Sequence, residues 1–205
     1  MDSPEAAEVD LPYPHYECPA CGTELPLTEA RITVTCAEHG APGRKVDAAI
    51  RDAQPSDRAA VEEICDRVWG ETDIDAFGRT FDVLAADNIV AEVDGEFAGL
   101  VSLAIDRGDL AIVMLSVYPD YQGSGIGSSL LEAAVTRAQE RRLPLVKAAT
   151  TNDDIPALYF YQRHGFAIYE IAAGTMVDHH GAVLTGFARI PVRDEIRLRR
   201  PAPAR

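Results

Sequence analysis

The sequence predicts an α/β (α+β) protein: a mixed central sheet flanked by helices, preceded by a small β-hairpin domain that carries most of the cysteines. Three observations carry this. From Val46 onward, strand-like runs alternate with amphipathic helical stretches. Two tight-turn dipeptides, Asp94-Gly95 and Arg107-Gly108, separate consecutive apolar runs, as in antiparallel hairpins. A glycine-rich turn after one apolar run opens the longest amphipathic stretch.

The elements follow in order. Residues 1–14 are acidic and proline-punctuated and read as a tail. Residues 15–43 hold Cys18, Cys21 and Cys36 and end in Gly40-Ala41-Pro42-Gly43, a linker. Residues 46–200 form the main domain. Val46–Ala53 is its first strand. Ser56 or Asp57 caps a helix reaching about Trp69, with Val61, Ile64, Cys65 and Val68 on one face. Ile89–Val93 and Phe97–Ile105 form a hairpin about Asp94-Gly95, and Leu110–Val117 adds a third strand. The long helix spans about Gly125–Arg141, its apolar face set by Ile126, Leu130, Leu131, Ala134 and Ala138. Leu145–Thr150 is a strand, Ala157–His164 a short helix and Ala167–Ala172 a strand. Pro191–Leu198 closes the domain as one strand.

Composition bounds the function. The 205 residues carry 33 Asp+Glu against 19 Lys+Arg, a formal net charge of -14, and the lysines are Lys45 and Lys147. Polyphosphate and anionic membrane would be repelled, which disfavours a nucleic-acid partner. An acidic, lysine-poor surface fits an ordinary soluble protein or a halophilic one, soluble in molar salt where the Debye length is about 3 Å. The first ten residues lack an apolar stretch, and the longest apolar run, Leu110–Leu115, is far short of a membrane helix. The expected location is cytoplasmic. The sequence sets no oligomeric state, and a homodimer is compatible with it.

Two constellations carry chemistry. The first is Cys18-Pro19-Ala20-Cys21-Gly22 with Cys36-Ala37-Glu38-His39-Gly40, two ligand pairs at i and i+3 each trailed by glycine. Four sulfur and nitrogen donors in two pairs suit tetrahedral Zn2+. A segment this small needs a metal to fold. His15 is an outlying alternative donor, and Cys65 belongs to the apolar face of its helix. The segment resembles a Cys3His zinc ribbon, which implies a structural metal held by Cys18, Cys21, Cys36 and His39.

The second is Leu115-Ser116-Val117-Tyr118-Pro119-Asp120-Tyr121-Gln122-Gly123-Ser124-Gly125-Ile126-Gly127-Ser128. A glycine turn at a helix N-terminus presents backbone N–H groups to an anion such as a diphosphate. It is not a dinucleotide fingerprint, because Ser128 stands where the last glycine belongs and no acidic ribose partner follows. It lacks the Gly-Lys-Ser/Thr of a Walker A loop. Gln122, Gly125 and Gly127 are similar to motif A of the GNAT superfamily of acetyl-CoA-dependent N-acetyltransferases. Ala157, Tyr161, Gly165 and Phe166 match the superfamily's second motif, with Asp154 where an asparagine is usual and Asn152 two residues before it.

The resemblance implies a GNAT-like mixed sheet and transfer of acetyl to a primary amine of a small molecule or peptide by direct attack. It places the diphosphate of acetyl-CoA on Gly123, Ser124, Gly125, Ile126, Gly127 and Ser128, with Gln122 and Asn152 as further contacts. The pantetheine arm would run along Leu115, Ser116 and Val117, with an oxyanion donor N–H near Leu115. Tyr161 takes the place of the acid that protonates the departing thiolate. Glu92, Asp106, Asp109, Asp120, Asp194 and Glu195 are candidate bases, and a water chain would also serve. His164 is expected to end its helix, and His179-His180 to lie in a loop. The competing reading is an interaction module, in which the ribbon docks on protein or nucleic acid and the acyltransferase fold is a scaffold.

Overall fold

A computed structural model describes residues 16–17, 24–25, 47–176 and 184–202. Its strands are β1 (Tyr16–Glu17), β2 (Glu24–Leu25), β3 (Ala49–Asp52), β4 (Asp73–Ala76), β5 (Arg79–Asp82), β6 (Asp87–Val93), β7 (Glu96–Asp106), β8 (Asp109–Val117), β9 (Leu145–Thr151), β10 (Ala167–Ala172), β11 (Leu184–Thr185), β12 (Pro191–Val192) and β13 (Glu195–Pro201). Its helices are α1 (Arg58–Val68), α2 (Ile126–Glu140) and α3 (Ile155–Arg163). Seven strands form the central sheet in the order β10-β13-β9-β8-β7-β6-β3. Neighbours are antiparallel except β8 and β9, which run parallel across the α2 crossover.

Alternation along the strands fills two layers. Leu110, Ile112, Val101 and Leu103 face α2 and α3, where Leu130, Leu131, Ala134 and Phe166 join them. Ala111, Val113, Leu100 and Val90 face α1 and the β4–β5 hairpin, against Val61, Ile64, Cys65, Ile74 and Phe81. Burying both faces makes the middle strands nearly continuous in apolar residues, so periodicity there is weak. Among the described residues no helix is long and apolar enough to cross a membrane.

Several expected elements are adjusted. The first strand is shorter, Ala49–Asp52, and the first helix ends at Val68 with Trp69 as its cap. The expected last strand is two: Pro191–Val192 pairs with β11, while Glu195–Pro201 enters the main sheet between β9 and β10. The β4–β5 hairpin was not anticipated. Its turn is Phe77-Gly78, with φ of 57° and 72°, the same left-handed pair as Asp94-Gly95 (51° and 86°) and Arg107-Gly108 (53° and 88°). Phenylalanine is a poor signal for a primed turn, since its side chain disfavours positive φ. Burial of Phe77 and acceptance of its N–H by Glu195 Oε2 at 3.1 Å hold it there.

At the end of the sheet where β8 and β9 pair, Lys147 is buried. Its Nζ lies 2.7 Å from Asp106 Oδ2, 3.6 Å from Asp109 Oδ2 and 5.2 Å from the Phe77 ring centroid. Asp106 also accepts from Arg79 at 3.0 Å. Burial pushes the Asp106 carboxyl up, but its bonds to Lys147 and Arg79 outweigh this and hold it below the usual carboxylate range. A cavity of about 180 Å³ at this end is lined by Phe77, Asp106, Lys147, Tyr169, Arg197 and Arg199, among others. It lies away from the glycine-rich loop.

Removing one partner of a buried ion cluster leaves uncompensated charge. Asp106→Ala should destabilise by about 3–5 kcal/mol, read by urea denaturation at neutral pH. A loss below about 1 kcal/mol would instead match a solvent-screened pair. Because the folded carboxyl titrates below its unfolded value of about 3.9, the contribution is present above that value and lost as pH falls through the folded one. Asp106→Ala should therefore flatten the acid limb of the stability profile.

Candidate active site

The site is built where the sheet comes apart. β8 and β9 pair only at Leu110↔Val146, Ala111↔Lys147 and Ile112↔Ala148. Beyond these, β8 stays with β7 as far as Gly99↔Val117 and β9 stays with β13 as far as Thr151↔Glu195. The two halves of the sheet part, and the edge of β8 facing β9 has no strand partner from Val113 onward among the described residues. At the parting point β8 carries one extra residue: Ser102 opposes Met114 and Leu103 opposes Ile112, leaving Val113 as a bulge. Bulges turn a strand and re-aim its backbone groups. An open β8 edge can take an extended chain bearing amide groups by strand-like hydrogen bonds. Leu115, Ser116 and Val117 lie on this edge.

Gly99 was missed. A Cβ there would lie 2.7 Å from Ser116 O and 3.2 Å from Val117 Cα. The glycine permits close approach of β7 at the point where β8 ends. An isolated glycine inside a strand pattern was the available signal.

The glycine-rich loop follows directly. Pro119–Tyr121 makes one 3₁₀ turn, and Gly123 and Gly125 take φ of 74° and 98°. Gly125 is the N-cap of α2. The N–H of Ser129 is the first to bond back, reaching Gly125 O at 3.1 Å. The N–H groups of Gly123, Gly125, Ile126, Gly127 and Ser128 bond to no acceptor among the described residues. A Cβ at Gly123 or Gly125 would meet nothing within 4 Å, so open space lies beside them. Five free donors at a helix N-terminus make a cradle for an anion.

Two expected contacts do different work. Gln122 turns its side chain back, with Nε2 donating to Val117 O at 3.0 Å, so it braces the loop. Ser124 is buried and donates its hydroxyl to Tyr121 O, leaving only its backbone near the cradle. Asn152 also departs from the expected cofactor contact. Its Nδ2 donates to Pro191 O at 2.9 Å, and its Oδ1 accepts from Arg193 and Asp194 N–H at 2.8 and 2.9 Å. It therefore fastens the segment before β13 to the end of β9.

Asp154 caps α3, accepting from Ala157 N–H at 3.0 Å and from Thr150 Oγ1 at 3.2 Å, and burial raises its pKa. Its neighbour Asp153 accepts from Phe187 N–H at 3.0 Å. Two turns along α3, Tyr161 is buried beside Phe166, with ring centroids 5.3 Å apart. Its hydroxyl pKa is pushed up, first by desolvation and then by Asp154. Such a phenol stays protonated at neutral pH and can act as a donor.

Most of the expected base candidates are occupied. Glu92 pairs with Arg51, Asp106 and Asp109 with Lys147, and Glu195 with Arg197. Asp194 accepts from Gly174 N–H at 2.9 Å. Asp120 is exposed in its 3₁₀ turn. The structure singles out none of them as a base. Cys18, Cys21, Cys36 and His39, along with His15 and His179-His180, lie outside the described residues. Cys65 is buried in the core beside Met114, as expected.

Comparison with known proteins agrees with this geometry. Residues 51–166 match the model of the acetyltransferase (GNAT) family. The chain is 30% identical over 109 residues to the uncharacterised YxbD of Bacillus subtilis (strain 168), covering 51% of this chain and 67% of that one. It is 34% identical over 95 residues to the streptothricin acetyltransferase of Streptomyces lavendulae, covering 45% of this chain and 47%, or about half, of the relative. A GNAT acetyltransferase of Elizabethkingia anophelis, solved with acetyl-CoA bound, shares the fold at a TM-score of 0.59 and 19% identity, over 75% of this chain and 97% of that one. With more than half of its residues matched to the family model, the chain belongs to the acetyltransferase (GNAT) family.

Proposed function

We propose that the protein transfers the acetyl group of acetyl-CoA to a primary amine of a small molecule or peptide. The observation that carries this reading is the set of free N–H groups at Gly123 and from Gly125 to Ser128, opening on empty space at the end of an unpaired strand edge. A diphosphate fits the cradle and an amide-bearing arm fits the edge. The streptothricin acetyltransferase relative, by its name, acts on streptothricin, which supports a small-molecule acceptor here. The net charge of -14 would draw a cationic amine toward the protein.

Bound acetyl-CoA supplies the acetyl group as an activated thioester. The residues of the chain do the rest. Gly123–Ser128 fix the diphosphate, and Leu115–Val117 align the arm so that the thioester lies in the opening beside the Val113 bulge. A β8 N–H near Leu115 would polarise the carbonyl oxygen as negative charge develops there. The amine nitrogen bonds to the carbonyl carbon as the carbon–sulfur bond breaks. The Tyr161 hydroxyl delivers a proton to the departing sulfur, and the proton lost by the amine returns through water to restore the phenol.

We further propose that Cys18, Cys21, Cys36 and His39 hold one structural zinc, in a ribbon ahead of the catalytic domain. Their spacing, two i, i+3 pairs each followed by glycine, supports this. The short β1–β2 pairing, Tyr16↔Leu25 and Glu17↔Glu24, flanks the first ligand pair in the chain. A closed four-ligand site leaves no open position for water, so this metal has no part in catalysis. The acidic, lysine-poor composition fits a cytoplasmic protein working in high salt.

Three outcomes test these readings. Gly125→Val puts a branched side chain into the open space and onto a backbone at φ 98°, so acetyl-CoA binding should be lost while the fold persists. Calorimetry on the folded variant decides it, and wild-type affinity would refute the loop assignment. Tyr161→Phe keeps the packing and should lower kcat by about 10²–10⁴-fold with little change in acetyl-CoA affinity. An unchanged kcat, with chemistry rate-limiting, would make Tyr161 a core residue only. Metal analysis should find one zinc per chain, absent from Cys36→Ser. A full zinc equivalent retained by a Cys18/Cys36 double mutant would exclude this site.

A further inference from the structure

His164 does more than end α3. Its Nδ1 lies 2.8 Å from Phe160 O and its Nε2 lies 3.0 Å from Ser128 Oγ, in the first turn of α2. The ring also packs on Phe160, with centroids 4.5 Å apart. Phe160 in turn reaches to within 3.6 Å of where a Gly127 Cβ would stand. The helix bearing Tyr161 is thus tied by one side chain to the cradle that bears Ser128.

The protons can be assigned from chemistry. A carbonyl oxygen only accepts, so Nδ1 carries hydrogen. In the neutral ring Nε2 is an acceptor, and the single Ser128 proton points at it. Ser128 then offers only lone pairs to the cradle. In the charged ring Nε2–H donates to Ser128 Oγ, and the Ser128 hydroxyl is free to donate to an anion. The second arrangement also brings a positive charge beside the cradle. The ionisable groups at this junction are few. Arg163 and Tyr161 share α3 with His164, and Arg163 bonds to Tyr159 at 2.8 Å. Glu132 on α2 pairs with Arg200 of β13 at 2.6 Å, whose Cδ lies 3.9 Å from a Gly165 Cβ position. That pair is already neutralised.

We propose that His164 is a positioning residue for the acyl donor: as the imidazolium it turns the Ser128 hydroxyl onto the diphosphate, so that donor binding takes up a proton. The inference rests on the acetyl-CoA reading of the loop. It adds a charged, side-chain clamp to what are otherwise backbone contacts, and it couples seating of the diphosphate to the helix that carries Tyr161.

The test compares acetyl-CoA with S-acetylpantetheine, which presents the same thioester without the diphosphate. His164→Leu should lower the kcat/KM ratio of acetyl-CoA over S-acetylpantetheine by roughly tenfold or more, the size expected for loss of a charge-assisted hydrogen bond. Ser128→Ala should lower the same ratio, and the double mutant should be no worse than the poorer single mutant. Calorimetry of acetyl-CoA binding in buffers of different ionisation enthalpy should show proton uptake by the wild type and less by His164→Leu. An unchanged ratio in both single mutants, additive effects in the double mutant, or equal proton uptake would overturn the proposal. Failure of the wild type to bind acetyl-CoA would instead overturn the reading of the loop beneath it.

Discussion

Two neighbouring strands that start together and then part are the constraint on which the rest depends. A parallel pair would ordinarily continue as long as both strands last, since each unmade rung leaves backbone groups without partners. Here pairing stops after Ile112↔Ala148 although β8 runs on to Val117 and β9 to Thr151. Each strand keeps its outer neighbour, so the opening widens between two intact half-sheets. The closed end must resist being pried apart. Lys147 of β9 bonds to Asp106 of β7 and lies close to Asp109 of β8, out of water, where such contacts are screened least. This buried cluster joins three adjacent strands at the hinge of the opening.

The opening gives meaning to the pieces around it. The Val113 bulge and the close approach at Gly99 set how β8 leaves the sheet. Gln122 then fixes the end of β8 by bonding Val117 O, and the chain turns at once into the glycine cradle. Across the gap, Asn152 holds the segment before β13 and Asp154 caps α3, so Tyr161 enters the core at a fixed height. The polar side chains around the cleft are largely engaged in building it. The groups left without partners in the loop are backbone N–H donors.

This division explains what could be read in the sequence. The glycine cradle was legible because positive φ and helix initiation demand particular residues, here Gly123 and Gly125. The Asp94-Gly95 hairpin was legible for the same reason. The β4–β5 hairpin was not, because its turn uses Phe77, held at positive φ by burial and a contact from Glu195 far along the chain. Asn152 and Gln122 were assigned to a ligand because the family resemblance implies contacts there. Their partners, Pro191, Arg193, Asp194 and Val117, become neighbours only when the chain folds. The strand opening leaves no local mark, since it is a relation between two registers.

The charge distribution shows why the cradle is made of backbone. Positive side chains are scarce, and many are engaged: Arg51 with Asp57 and Glu92, Arg137 with Asp52 and Asp87, Arg197 with Glu170 and Glu195, Arg200 with Glu132. These ion pairs knit an acidic chain together. The loop from Gly123 to Ser128 contains no cation at all. Backbone donors aimed from a helix N-terminus act over a single hydrogen-bond length, well inside the Debye length of about 8 Å at 0.15 M salt. An anion site built this way keeps its grip as ionic strength rises, whereas one built from exposed lysines would lose it. Backbone donors at Gly123 and from Gly125 to Ser128 thus offer an anion a site that draws on none of the chain's paired arginines.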